Sequence, residues 1–275
     1  MTLYISDLDG TLLDKNAELP PGAGDMLNCL AERGVAVTYA TARTIKSVGH
    51  ILRHAPKNYP AALMNGVLVC DLEKEKYLSA AYFNDGDFRL VRDILREFEV
   101  SPFYYYLDGD ELSTAYEKIS NKYMESFMAE RVKKYNKPFI DLAEGRSPEG
   151  RAIYFAAMDS EEKIKRANEA LKTVCGIRTA CYRDSYEPDF WYLEVFDKSA
   201  SKKNATLEIK RLTGAYKIVA FGDNYNDLPM FEAADECYAV STAPSEVIAA
   251  ADGTVGPPDS FGVILKIMEL EGAGI

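Results

Sequence analysis

Four short polar clusters carry most of this chain's capacity for chemistry: Asp7-Leu8-Asp9-Gly10-Thr11, Thr41-Ala42-Arg43, Asn65-Gly66 and Gly222-Asp223-Asn224-Tyr225-Asn226-Asp227. Asp7 and Asp9 are two residues apart, so on an extended chain their carboxylates point the same way. Asp223 and Asp227 would raise the number of carboxylates in one crevice to as many as four. At an effective dielectric near 20, one like-charged pair about 4 Å apart costs roughly 4 kcal/mol. A hard divalent cation with oxygen ligands removes that cost, and Mg²⁺ fits such a ligand set best. The last cluster is denser than a turn requires: four of its six residues are Asp or Asn, where a plain strand-to-helix turn needs one or two.

Lys202 adds a cation. Ser201 is a suitable N-cap for a helix that follows it, so Lys202 and Lys203 both fall in the first helical turn, against the macrodipole. A helix start and a lysine that face one anion together account for that placement, and phosphate is the natural candidate. Thr41 and Arg43, taken singly, are an ordinary strand-end threonine and a surface arginine.

The clusters gain meaning from the elements before them. Leu3-Tyr4-Ile5, Val35 to Tyr39, Ala61 to Met64 and Lys217 to Phe221 read as apolar strands, each ending at one cluster. Between them, Gly24 to Arg33 and Thr44 to His54 have helical periodicity, and so does Lys202 to Leu212, with Ala205, Ile209 and Leu212 on one stripe. Val67 to Val69 and Lys76 to Leu78 suit a hairpin. This βαβαβ order predicts a parallel sheet covered by helices. Ligands bind beyond the carboxyl ends of such strands, so the clusters should converge there.

The middle of the chain is different. It is aromatic-rich, with a Phe103-Tyr104-Tyr105-Tyr106 run suited to a sheet core. Helices are expected at Asp87 to Phe98 and Ile119 to Tyr135, and strands at Arg151 to Met158 and Ile177 to Tyr182. The expected organisation is therefore a first core half over 1–82, an inserted α+β domain over 83–189, and a second core half over 190–275 that opens on a Trp191 to Phe196 strand.

Composition narrows the classes. The formal net charge of −11 disfavours a nucleic-acid partner. No run of about twenty apolar residues predicts a membrane span. The opening MTLYISDLDG lacks the features of a signal peptide, so a cytoplasmic protein is expected. Five cysteines without a CxxC pair, and only two histidines, argue against a zinc site.

Together the clusters resemble the haloacid dehalogenase superfamily of phosphohydrolases, in particular its Cof-type phosphatases, in which a large α/β cap interrupts a Rossmann-like core. The motifs that carry the resemblance are Asp7-Leu8-Asp9-Gly10-Thr11-Leu12, Thr41-Ala42-Arg43, Ser201-Lys202, and Gly222-Asp223-Asn224-Tyr225-Asn226-Asp227-Leu228-Pro229-Met230. The resemblance implies a Mg²⁺-dependent phosphatase for small phosphorylated metabolites such as sugar phosphates. Asp7 would be the nucleophile that becomes an aspartyl-phosphate, and Asp9 the acid and base. Thr41 and Lys202 would hold phosphoryl oxygens. Asp7, the Asp9 backbone carbonyl and Asp223 would hold the metal, with Asp227 in support. Arg43, Asn65, Gly66 and Asn226 would lie beside substrate. Alternatives are a phosphosugar mutase or phosphotransferase of the same superfamily, and a ligand-binding module without chemistry. Three stretches depart from the family pattern: Ala42 replaces a glycine, Lys203 replaces a glycine, and Val240-Ser241-Thr242-Ala243 stands for Met-Gly-Asn-Ala.

Overall fold

In a computed structural model, which describes residues 1–145, 148–183 and 189–272, the chain divides into two units: Met1–Ser79 with Ser201–Ile275, and Ala80–Ala200. The first unit begins β1 (Thr2–Ser6), α1 (Ala23–Glu32), β2 (Ala36–Tyr39), α2 (Ile45–Ile51), β3 (Ala61–Leu63), β4 (Leu68–Asp71) and β5 (Lys76–Ala80). The second holds α3 (Asp85–Glu97), β6 (Pro102–Asp108), β7 (Glu111–Tyr116), α4 (Lys122–Tyr135), β8 (Ile140–Asp141), β9 (Arg151–Ser160), α5 (Glu161–Leu171), β10 (Ile177–Arg183) and β11 (Phe190–Asp197). The first then resumes with α6 (Lys202–Thr213), β12 (Lys217–Gly222), α7 (Leu228–Phe231), β13 (Glu236–Val240), α8 (Ser245–Ala249), β14 (Gly253–Val255) and α9 (Gly262–Leu270).

The first unit is built on a five-stranded parallel sheet in the order β14-β13-β12-β1-β2. β1 is buried along most of its length because helices cover both faces, as a parallel sheet requires. Leu3 and Ile5 pack with Ala205 and Ile209 of α6 on one face, while Tyr4 stacks on Phe221. Burying each such aliphatic side chain stabilises the fold by about 1.5–3 kcal/mol. Ser201 caps α6 by accepting from the Asn204 amide, and Gly214, in the left-handed region, ends it. The chain leaves β1 toward β2 on one side and returns through β12 on the other. The strand order thus reverses at β1 and β12, the switch point where such sheets open a ligand crevice.

β3 differs from expectation. It pairs antiparallel with β4 and touches β2 through a single bridge, Ala40 to Ala62, with the Thr41 amide donating to the Ala62 carbonyl. The cause is local: Met64, Asn65 and Gly66 all take positive φ (51, 57 and 88°), which turns the chain straight back. The predicted helices at 44–54 and 119–135 are also shorter. The latter starts at Lys122, because the Asn121 side chain caps it through the Met124 amide.

The second unit carries a six-stranded sheet, β10-β11-β9-β6-β7-β8, antiparallel but for the β7–β8 edge. α3 and α5 supply Val91, Leu95, Ile164 and Leu171 to a core with Tyr104, Phe155 and Leu193. Phe103, Tyr104 and Tyr105 are buried in this sheet, as their sequence suggests. The boundaries of 83–189 and 190–275 need correction. Trp191 to Phe196 does not open the second core half, because β11 lies between β9 and β10 and completes the second unit's sheet. Residues 184–188, beside that expected boundary, lie outside the described ones. No helix among the described residues is long and apolar enough to cross a membrane.

Candidate active site

β1 delivers Asp7 to the carboxyl end of the sheet, where its amide donates to the Phe221 carbonyl of β12 at 2.9 Å. That register sets Asp7 beside Asp223. Carboxylate oxygens of Asp7, Asp223 and Asp227 lie within 4.8 Å of one another. Lys202, at the first position of α6, is buried between two of them, and its ammonium donates to Asp7 Oδ1 and Asp227 Oδ1, both at 2.6 Å. Two of its three donors are thereby used.

Asp227 is held at both of its oxygens. Beyond the lysine, its Oδ2 accepts from the Asp223 and Asn224 amides at 2.9 and 3.0 Å, a capping box that closes the loop after β12. Its carboxylate therefore holds the loop and Lys202, and Oδ1 keeps one acceptor site beside Asp7 and Asp223. Thr11 Oγ1 donates to Asp223 Oδ1 at 3.0 Å. Gly10 has φ of 79°, and a Cβ there would strike the Asp223 carboxylate, so a glycine is required by both conformation and space.

The charges explain the titration behaviour. Burial, and then Asp227, Asp223 and Asp9, raise the Asp7 pKa well above the carboxylate range, against the pull of Lys202. Burial and Asp227 push Asp223 up to about 6, opposed by Thr11 and Lys202. Burial works against the Lys202 charge, yet Asp227 and Asp7 outweigh it and raise its pKa. One ammonium thus offsets only part of the repulsion among the buried carboxylates. The residual repulsion and the oxygen-only donor set fit a hard cation such as Mg²⁺.

Asp9 does not join this group through its carboxylate. The amides of Thr11, Leu12 and Leu13 all fold back on the Leu8 carbonyl, so the chain is no longer extended past Leu8. The Asp9 carboxylate instead receives both arms of Arg43: Nε to Oδ2 at 2.7 Å and Nη2 to Oδ1 at 2.6 Å. Arg43 is braced in turn by Ser47 Oγ at 3.0 Å from Nη1. Its expected place beside substrate is therefore taken by a two-point hold on Asp9. Only the Asp9 backbone carbonyl remains as its metal donor.

Thr41 is buried, and its hydroxyl accepts from the Arg43 amide at 3.2 Å, which leaves its own proton for another acceptor. Asn65 and Asn226 meet through Asn226 Nδ2 and Asn65 Oδ1 at 3.3 Å. Gly66 packs its backbone on the start of α6, where a Cβ would strike the Ser201 carbonyl, so it positions Lys202. Lys203 is half-exposed and pairs with Glu232 at 3.0 Å. Ser241 and Thr242 are exposed in the turn after β13. Thr11 and Asn224 stand in the polar clusters of the sequence without a role of their own, and Ser47 lies outside those clusters. Asn224 carries a further signal, its three-residue spacing from Asp227, which is that of a capping box, whereas Ser47 carries none.

The chain is similar to known proteins in sequence and in fold. The haloacid dehalogenase-like hydrolase family model matches residues 4–267. A Bacillus subtilis (strain 168) protein named "Putative phosphatase YxeH" is 27% identical, over 98% of this chain and 97% of that protein. A haloacid dehalogenase-like hydrolase from Bacteroides thetaiotaomicron shares the fold with a TM-score of 0.77 at 20% identity, covering 98% of this chain and 99% of that one. The sugar phosphatase BT4131 shares it with a TM-score of 0.73 at 19% identity, covering 100% of both chains.

Proposed function

The chain belongs to the haloacid dehalogenase-like hydrolases, and on that premise we propose that it is a Mg²⁺-dependent phosphatase of small phosphorylated metabolites, sugar phosphates among them. The observation that carries the proposal is a buried carboxylate, Asp7, held at the switch point of a parallel sheet by Lys202 and flanked by Asp223.

In this reading an Asp7 oxygen attacks phosphorus as the ester P–O bond breaks, and Asp9 gives its proton to the departing alcohol. Water then attacks the aspartyl-phosphate, Asp9 takes up the proton, and Asp7 is released with inorganic phosphate. The third donor of Lys202 and the Thr41 hydroxyl are suited to phosphoryl oxygens, because both are buried and already oriented by other bonds. Arg43 orients Asp9. Mg²⁺, held by Asp7, Asp223 and the Asp9 carbonyl, would offset the negative charge of the carboxylates and the phosphoryl group.

The test is phosphate release from p-nitrophenyl phosphate and a panel of phosphorylated metabolites, with Mg²⁺ and with excess EDTA. Free phosphate that disappears with EDTA is expected. Full activity in chelator would overturn the metal requirement, and an isomeric sugar phosphate as product would make the protein a mutase.

A further inference from the structure

Lys137 lies between α4 and β8 in the Ala80–Ala200 unit and is only 8% exposed, yet its ammonium makes no hydrogen bond or ion pair among the described residues. It sits over the Tyr105 ring, 4.3 Å from the centroid, with the Phe139 ring at 5.4 Å. The charged group acting on it is Arg131, a like charge. Burial and then that guanidinium bring its pKa down to about 7. An ammonium with so little solvent and no anionic partner costs the fold more than one paired with an anion, and two aromatic faces offset only part of that cost.

Other polar groups on this side of the sheet are also unsatisfied. Tyr105 is buried as a residue, and its hydroxyl has no hydrogen-bond partner among the described residues. Thr114 stands opposite Tyr105 on the β6–β7 ladder, hence on the same face, and its buried hydroxyl has none either. Arg131 reaches Glu130 at 2.8 Å through one arm. Glu194, the buried carboxylate whose charge reaches Tyr105, is not among the groups acting on Lys137.

We propose that Lys137 is the centre of an oxyanion-binding site in the Ala80–Ala200 unit, which takes a carboxylate or phosphate group, with Arg131 adding to the field and the Tyr105 hydroxyl as a neutral donor. The ligand is a free small oxyanion, and the site does not depend on the phosphatase reading.

The variant is Lys137→Met, of similar length without the charge, with Lys137→Gln as a second. Calorimetry of malonate binding to the full chain, without substrate, is expected to show a saturable site that either variant weakens about 10- to 100-fold, as for loss of a charged hydrogen bond. The melting temperature of Lys137→Met without anion should equal or exceed that of the wild type. Malonate binding that is absent from the wild type, or equal in the variants, overturns the proposal. Calorimetry needs no turnover, so Lys137-dependent binding without phosphate release would refute the phosphatase reading and leave this site standing.

Discussion

Lys202 and Lys203 open the same helix and share its unfavourable macrodipole, so a matched pair of alanine substitutions isolates what the fold does with each. Lys202 is 2% exposed and bonded to Asp7 and Asp227 at 2.6 Å. Removing it leaves buried carboxylates facing one another. A like-charged pair about 4 Å apart costs roughly 4 kcal/mol at an effective dielectric of 20, and breaking a buried ion pair typically costs about 3–5 kcal/mol. Protonation of Asp7, whose pKa already lies well above its ordinary value, relieves part of that loss. Lys202→Ala should therefore lose a few kcal/mol of stability without metal and regain some with Mg²⁺. Its kcat/KM should fall by about 30- to 1000-fold, equivalent to about 2–4 kcal/mol for a lost buried donor to the phosphoryl group. Lys203 has a half-exposed side chain paired with Glu232, a surface pair that contributes under about 1 kcal/mol. The assay is kcat/KM for both variants on one ester, with urea melts in EDTA and in Mg²⁺. Equal small losses would refute the assignment of Lys202 to the phosphoryl group, and a larger loss for Lys203→Ala would reverse it.

Asp7→Asn should fold normally and lose turnover by several orders of magnitude, because an amide is a poor nucleophile; wild-type turnover by the folded variant would place the nucleophile elsewhere. Arg43→Ala should slow hydrolysis of alkyl phosphates at least about 10-fold more than that of p-nitrophenyl phosphate, since the two-point hold on Asp9 serves a proton transfer that an aryl leaving group needs little. An equal loss on both substrates would show that Arg43 binds the substrate rather than orienting Asp9.

The sequence by itself determined the elements and where they end. Leu3-Tyr4-Ile5 and Lys217 to Phe221 announce apolar strands because every side of a central parallel strand is buried, and the spacing of Ala205 and Ile209 announces the helix that Ser201 caps. That Asp7, Lys202 and Asp223 should converge followed from their places at element ends. Which charge meets which was settled only in three dimensions. The fold-back onto the Leu8 carbonyl and the left-handed φ of Gly10 remove the Asp9 carboxylate from the acidic group and give it to Arg43, 34 residues away. Trp191 to Phe196 has the same apolar pattern whichever sheet receives it, and its pairing with β9 and β10 assigns it to the second unit. Lys137 looks like any lysine in a polar loop until the Tyr105 and Phe139 rings close around it. Local sequence encodes periodicity and chain direction, because these depend on neighbouring residues. Ion pairing and burial depend on partners brought together by sheet register and turn geometry, so they belong to the tertiary structure.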